Sequence, residues 1–133
     1  MYYTAYAKPK KLSSKLMDKV VVFACDFLEL DVDLEIEFDE VENGGYVDYE
    51  EGEDIVVAVN PKQTKNELIR TIFHEMVHVK QYVEGDLSHQ DSNNLWKGAV
   101  VDVPYMDRPW EKEAYEQDSL GDSQRAIQYL LKA

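Results

Sequence analysis

The chain has one cysteine, Cys25, so no internal disulfide can staple it, and the apolar stretch around that residue marks it as a small core side chain. Basic residues are scarce too. Lys and Arg together number 14 against 27 Asp and Glu, a net charge of −13, which repels phosphate and excludes nucleic acid and anionic membranes from the expected partners. No segment approaches the run of roughly 18 apolar residues that a membrane-spanning helix needs. The polar, tyrosine-rich stretch from Met1 to Lys15 lacks the apolar run of a secretory signal, so a reducing cytoplasm is the expected compartment. There is no internal repeat and no low-complexity linker. A single domain over residues 1–133, monomeric, is therefore expected.

What is present suits a folded enzyme-sized domain: 44% hydrophobic and 11% aromatic residues, with nine tyrosines, enough to bury a core without covalent staples. Ser13 or Ser14 can cap a first helix whose apolar residues Leu16, Met17, Val20, Val21, Ala24, Phe27 and Leu28 follow helical spacing. From Val32 to Val41, Val32, Leu34, Ile36 and Phe38 alternate with acidic residues, the period of a half-buried strand. Glu42-Asn43-Gly44-Gly45 signals a turn, Tyr46 to Tyr49 a short strand, and Ile55 to Val59 a central one. Asn60-Pro61 breaks that run. Thr64 and Glu67 then form a capping box for a long, mostly buried helix from about Lys65 to Glu84, stopped at Gly85. Thr71, His74, His78 and Gln81 make a polar stripe along it. Residues Asp86 to Arg108 read as loop-rich with one extended piece at Ala99 to Val103, after which Pro109 opens a helix to about Leu120. An amphipathic segment, Ser123 to Leu131, closes the chain.

The long helix contains His74-Glu75-Met76-Val77-His78. Four residues rotate the second histidine only about 40° from the first, so both imidazoles face one point, while Glu75 stands about 100° around from His74. Two neutral imidazole nitrogens suit Zn²⁺, and the intervening carboxylate is placed to reach a water rather than the metal. In a buried helix two histidines and a glutamate are costly unless a metal or hydrogen bonds satisfy them. A catalytic zinc needs a third protein ligand. Only three histidines exist, and His89, eleven residues past His78, lacks the Gly-x-x-His lead-in of the metzincins, because Gly85 is followed by Asp86, Leu87, Ser88 and His89.

Pro109-Trp110-Glu111-Lys112-Glu113-Ala114-Tyr115 opens the second helix. A His-Glu-x-x-His helix followed by a helix with Glu-x-x-Ala resembles the gluzincin peptidases, and the small size is similar to the minigluzincins and to small phage-encoded zinc peptidases. The resemblance covers roughly Ile55 to Leu120. It implies Glu111 as third zinc ligand, with Ala114 letting the helices approach, whereas Glu113 should face elsewhere. Where many gluzincins place an Asp that supports a ligating histidine, this chain has Tyr115. Tyr115 or Asp118 would then supply that orienting hydrogen bond. The resemblance further implies that the strand of Gly45 to Tyr49 is a sheet edge that binds substrate backbone, through Tyr46, Val47 and Asp48.

The expected fold is α+β and zincin-like: an N-terminal helix, a small three-stranded sheet, a buried active-site helix, a third-ligand helix and a C-terminal helix. The expected reaction is hydrolysis of a peptide or protein substrate. Zinc on His74, His78 and Glu111 lowers the pKa of a water, Glu75 accepts its proton, and Tyr105 is the candidate donor to the oxyanion. A competing reading is a catalytically silent zinc-fold or acidic binding protein that engages a partner protein through its acidic surface or the sheet edge; an acidic nucleic-acid mimic, within that class, would present Asp33, Glu35, Glu37 and Asp39. A third is a latent enzyme covered by the segment after Leu120.

Overall fold

A computed structural model of the protein describes residues 3–50 and 52–119, with side chains to residue 116. The expected C-terminal helix, and the latent-enzyme reading built on it, lie outside the described residues. The described part is a mixed α+β structure of three helices and two small sheets.

Strand β1 (Tyr3–Tyr6) leads into helix α1 (Ser14–Leu28). Ser13 is its cap: the side chain accepts from Leu16 N at 3.1 Å, satisfying one of the donors a helix start leaves free. The helix buries Leu16, Met17, Val20, Val21, Ala24, Cys25 and Leu28 along one stripe. Phe27, expected in that stripe, lies at its margin, stacked on Phe23 and tilted against Phe73. Strands β2 (Leu34–Phe38), β3 (Gly45–Asp48) and β4 (Ile55–Val59) complete a four-stranded sheet in the order β1-β2-β4-β3. The pairs β1–β2 and β2–β4 are parallel and β3–β4 is antiparallel. Thus β4, the most apolar strand, sits inside the sheet, and β3 is an edge.

The sheet has four strands where three were expected. Strand β1 is half-buried to exposed and pairs with β2 through its backbone, so its residues carry no apolar alternation to betray it. On β2 the alternation works as the pattern predicts: Leu34, Ile36 and Phe38 are buried and Glu37 is exposed. Helix α2 (Lys65–Val83) has the full capping box of Thr64 and Glu67. Leu68, Ile69, Ile72, Phe73, Met76, Val77 and Val79 join α1, β2 and β4 in one core, which also takes in Ala114.

Residues 87–101 form a second, three-stranded antiparallel sheet rather than mainly loop: β5 (Leu87–Gln90), β6 (Asn93–Trp96) and β7 (Ala99–Val101). Its turns are two-residue, Asp91-Ser92 and Lys97-Gly98, each with positive φ at both positions, the geometry that matches strand twist in a hairpin. Leu87 is its one buried residue, so the period-2 pattern is missing and only the turns carry a signal. Helix α3 (Pro109–Ser119) follows a short 3₁₀ turn at Tyr105–Asp107 and packs on α2. Among the described residues no helix is long and apolar enough to cross a membrane.

Candidate metal centre

The polar stripe of α2 faces α3 and the edge strand β3, and its chemistry is buried: His74, Glu75, His78 and Gln81 are all less than a tenth exposed, as is Glu111 on α3. His74, Glu75 and His78 bring their potential ligand atoms within 4.8 Å of one another, a group that could hold a metal ion. Glu111 comes closer still to both histidines. Its Oε1 is 3.2 Å from His74 Nε2 and 3.1 Å from His78 Nε2. Ala114, fully buried, leaves the space in which α3 reaches α2.

The protonation of His78 can be worked out from its surroundings. Gln81 Nε2 lies 3.0 Å from the Trp110 carbonyl oxygen and 3.2 Å from Glu113 Oε1, both acceptors, so the amide nitrogen must be on that side. Gln81 Oε1 therefore faces His78 Nδ1, at 2.7 Å, and that nitrogen carries the hydrogen. In a neutral imidazole the other nitrogen, Nε2, is then a lone-pair acceptor. It faces Glu111 Oε1, which is an acceptor as well. Two acceptors at 3.1 Å repel unless a cation lies between or beside them, either a second proton on the ring or a metal ion. The donor set fits a metal on this ground: Nε2 of His78 is aimed, and its tautomer held, for a cation beside Glu111.

The titration of these groups follows the same geometry. When ring protons rather than a metal fill the place between these groups, burial works to raise Glu111, but hydrogen bonds from His74 and His78 and their charge outweigh it and hold the carboxyl down at about 2. Burial works to lower His78, and the hydrogen bond to Glu111, the Glu75 and Glu111 charges and the Gln81 bond carry it above the ordinary histidine value. Glu75 makes no such bonds among the described residues. Burial pushes it up to about 7, against the opposing pull of His78 and His74. Two carboxyls on neighbouring helices thus differ because one is paired and the other is only desolvated.

Glu75, His78 and Glu111 open onto a cleft of about 470 Å³, walled on one side by β3 at Gly45, Tyr46 and Val47. Gly45 has extended backbone, and space rather than φ requires glycine: a Cβ would stand 2.6 Å from Ala58 O and 3.2 Å from Glu75 Cγ. Asp48 does not line this cleft. It lines a neighbouring pocket with Tyr49 and Glu50.

Tyr105 donates its hydroxyl to Glu111 Oε1 at 3.1 Å, and burial, with Tyr115 and Glu111, keeps its proton on well above the usual phenol range. Tyr115 packs against His74 with the rings tilted by 60° and centroids 4.6 Å apart, and its hydroxyl is 3.5 Å from that of Tyr105. The side chain of Asp118 lies outside the described residues. His89 is at the cleft but is bonded to Tyr82, Nε2 to hydroxyl 2.6 Å. Glu113 faces Gln81 rather than the histidines. The partner that orients a histidine is thus Gln81, whose place three residues after His78 on the same stripe is its only mark in the sequence.

No protein-family model, curated protein or solved structure matches this chain.

Proposed function

We propose that the protein is a zinc-dependent peptidase of gluzincin type, with His74, His78 and Glu111 as the metal ligands and Glu75 as general base. The observation that carries this reading is the facing of two acceptors, His78 Nε2 and Glu111 Oε1, with the histidine tautomer set by Gln81. Donors about 2.0 Å from a tetrahedral zinc stand about 3.3 Å apart, close to the 3.2 and 3.1 Å between Glu111 Oε1 and the two histidines. Imidazole and carboxylate donors suit zinc, and the absence of thiolates argues for a catalytic rather than a structural site.

Bound there, zinc would supply a Lewis acid for the scissile carbonyl and lower the pKa of a water. Glu75 would take the proton of that water. A base with a pKa near neutrality serves this best, and Glu75 sits at about 7. Tyr105, held as a neutral phenol, has a hydrogen to give to Glu111 or to a developing oxyanion. Strand β3 offers unpaired backbone groups along the cleft, to which an extended peptide could add.

The test is metal analysis joined to peptide-library cleavage. One zinc per chain and chelator-sensitive cleavage are expected, and Glu75→Gln should keep the zinc and lose cleavage. Cleavage by Glu75→Gln at the parent rate would remove Glu75 as base.

A further inference from the structure

The cleft that Glu75 and Glu111 line is lined by an arginine as well. Among the described residues lining it, Arg108 is the only lysine or arginine. Its backbone is pinned: N donates to Tyr105 O at 3.2 Å, and O accepts from Glu111 N at 3.1 Å and Lys112 N at 3.0 Å. Arg108 therefore starts α3 in a fixed relation to Glu111. The guanidinium lies 5.7 Å from the Tyr105 ring centroid and 5.9 Å from that of Trp110, and Nε reaches the Val103 carbonyl at 3.5 Å.

These contacts set the guanidinium beside two aromatic rings and engage Nε alone of its nitrogens. No carboxylate among the described residues pairs with it, although the chain has 27 acidic residues to choose from. Tyr105 gives its hydroxyl to Glu111 and its ring to Arg108, so the nearest buried carboxylate is satisfied without the guanidinium. The terminal nitrogens form the fork that binds a carboxylate with two parallel hydrogen bonds. An anionic ligand entering this cleft meets Glu42, Glu75 and Glu111. Among the described residues lining the cleft, Arg108 is the only side chain that carries a fixed positive charge.

We infer that Arg108 is a specificity-determining residue that receives a carboxylate of the substrate. The carboxylate is either the C-terminus of a short peptide or an aspartate or glutamate side chain within a longer one. The inference rests on the proposed reading of the cleft as a peptide site, and it names the class of peptide taken.

The experiment is fluorescence anisotropy with Glu75→Gln protein in the presence of zinc, using four labelled alanine-rich peptides. One is neutral and end-capped, one has a free C-terminal carboxylate, and two are capped with an internal Glu or Gln. A carboxylate-bearing peptide should bind roughly tenfold tighter than its neutral counterpart, the size expected of a charge-assisted bidentate pair. Which of the two gains identifies the source of the carboxylate. Arg108→Gln should abolish the preference and leave neutral-peptide binding unchanged, and Arg108→Lys should keep part of it. Equal affinity for all four peptides, or a preference that survives Arg108→Gln, overturns the inference. Cleavage of the neutral peptide by the parent protein is scored separately. If cleavage is absent while the Arg108-dependent preference persists, the peptidase reading fails alone; cleavage with no carboxylate preference sinks only the role of Arg108.

Discussion

Replacing Gln81 with leucine tests the electrostatic reasoning at its root. The side chain is 1% exposed and makes three polar contacts: to His78 Nδ1, the Trp110 carbonyl and Glu113. Leucine nearly fills the same space, so the loss is of hydrogen bonds rather than of volume. His78 Nδ1–H is left buried without a partner, at about 1–3 kcal/mol, while the Trp110 carbonyl, inside α3, keeps the hydrogen bond of its own helix. Against a typical total stability of about 5–15 kcal/mol that loss is substantial, so the chelated protein should unfold at lower urea. His78 is then also free to rotate and to exchange tautomers, and loss of such a partner weakens metal binding about 10–100-fold. Zinc competition against a chromophoric chelator measures this. Gln81→Glu separates the two effects: it restores an acceptor at Nδ1 but sets a carboxylate against the Trp110 carbonyl and Glu113, so zinc affinity should recover more than stability. Zinc affinity within twofold of the parent in Gln81→Leu would show that Gln81 does not set the tautomer, and the case for a cation between His78 and Glu111 would fall.

Glu111→Gln removes the charge and keeps the shape, so zinc stoichiometry measured after dialysis should fall; full occupancy would remove Glu111 from the ligand set. Gly45→Ala drives a Cβ to 2.6 Å from the backbone oxygen of Ala58 and should cost about 1–3 kcal/mol as an overpacking, read by denaturant unfolding; parent-like stability would show that β3 can move off α2. The metal-free protein should lose stability as pH rises from 5 to 8. Glu75 has a folded pKa of about 7, above its ordinary value, so its contribution is complete below about pH 4.5 and is lost as pH climbs through 7, on the order of 3 kcal/mol. Glu111, held at about 2, acts oppositely: its contribution is present above about pH 4.5 and lost only as pH falls through 2. Urea titrations in chelator at the two pH values check this, and Glu75→Gln, uncharged at both, should reduce the difference; an unchanged difference would assign it to other groups.

The elements legible in the sequence are those in which burial and capping speak together. Thr64 and Glu67 mark the start of α2 because both halves of the capping box are side chains, and its buried residues recur at helical spacing. The edge position of β3 was an implication of the family resemblance, and β4 could be placed inside the sheet because its residues are apolar on both faces. What escaped has little burial to report. Strand β1 and the meander of β5 to β7 are held by backbone pairing and tight turns, with Leu87 alone buried in the second sheet. Side-chain period cannot reveal a strand that buries almost none of its side chains fully.

The site shows the same division. His74, Glu75 and His78 are set by spacing on one helix, which sequence states directly. Their orientation depends on how α3 crosses α2, which it does not. The expected support from Tyr115 takes a different form: Tyr115 packs against the ring of His74, while Gln81 holds His78 by a hydrogen bond and is itself held by α3 at Trp110 and Glu113. That crossing also decides which carboxylate does what. Glu111 is drawn between two histidines and stays charged, whereas Glu75, on the histidines' own helix, lines the cleft and is desolvated with no bonding partner among the described residues. Pairs of carboxyls whose surroundings drive their pKa values apart mark a division of labour in acid–base sites. On the proposed reading, values of about 2 and about 7 would leave Glu111 charged to hold a cation and Glu75 able to exchange a proton near neutrality.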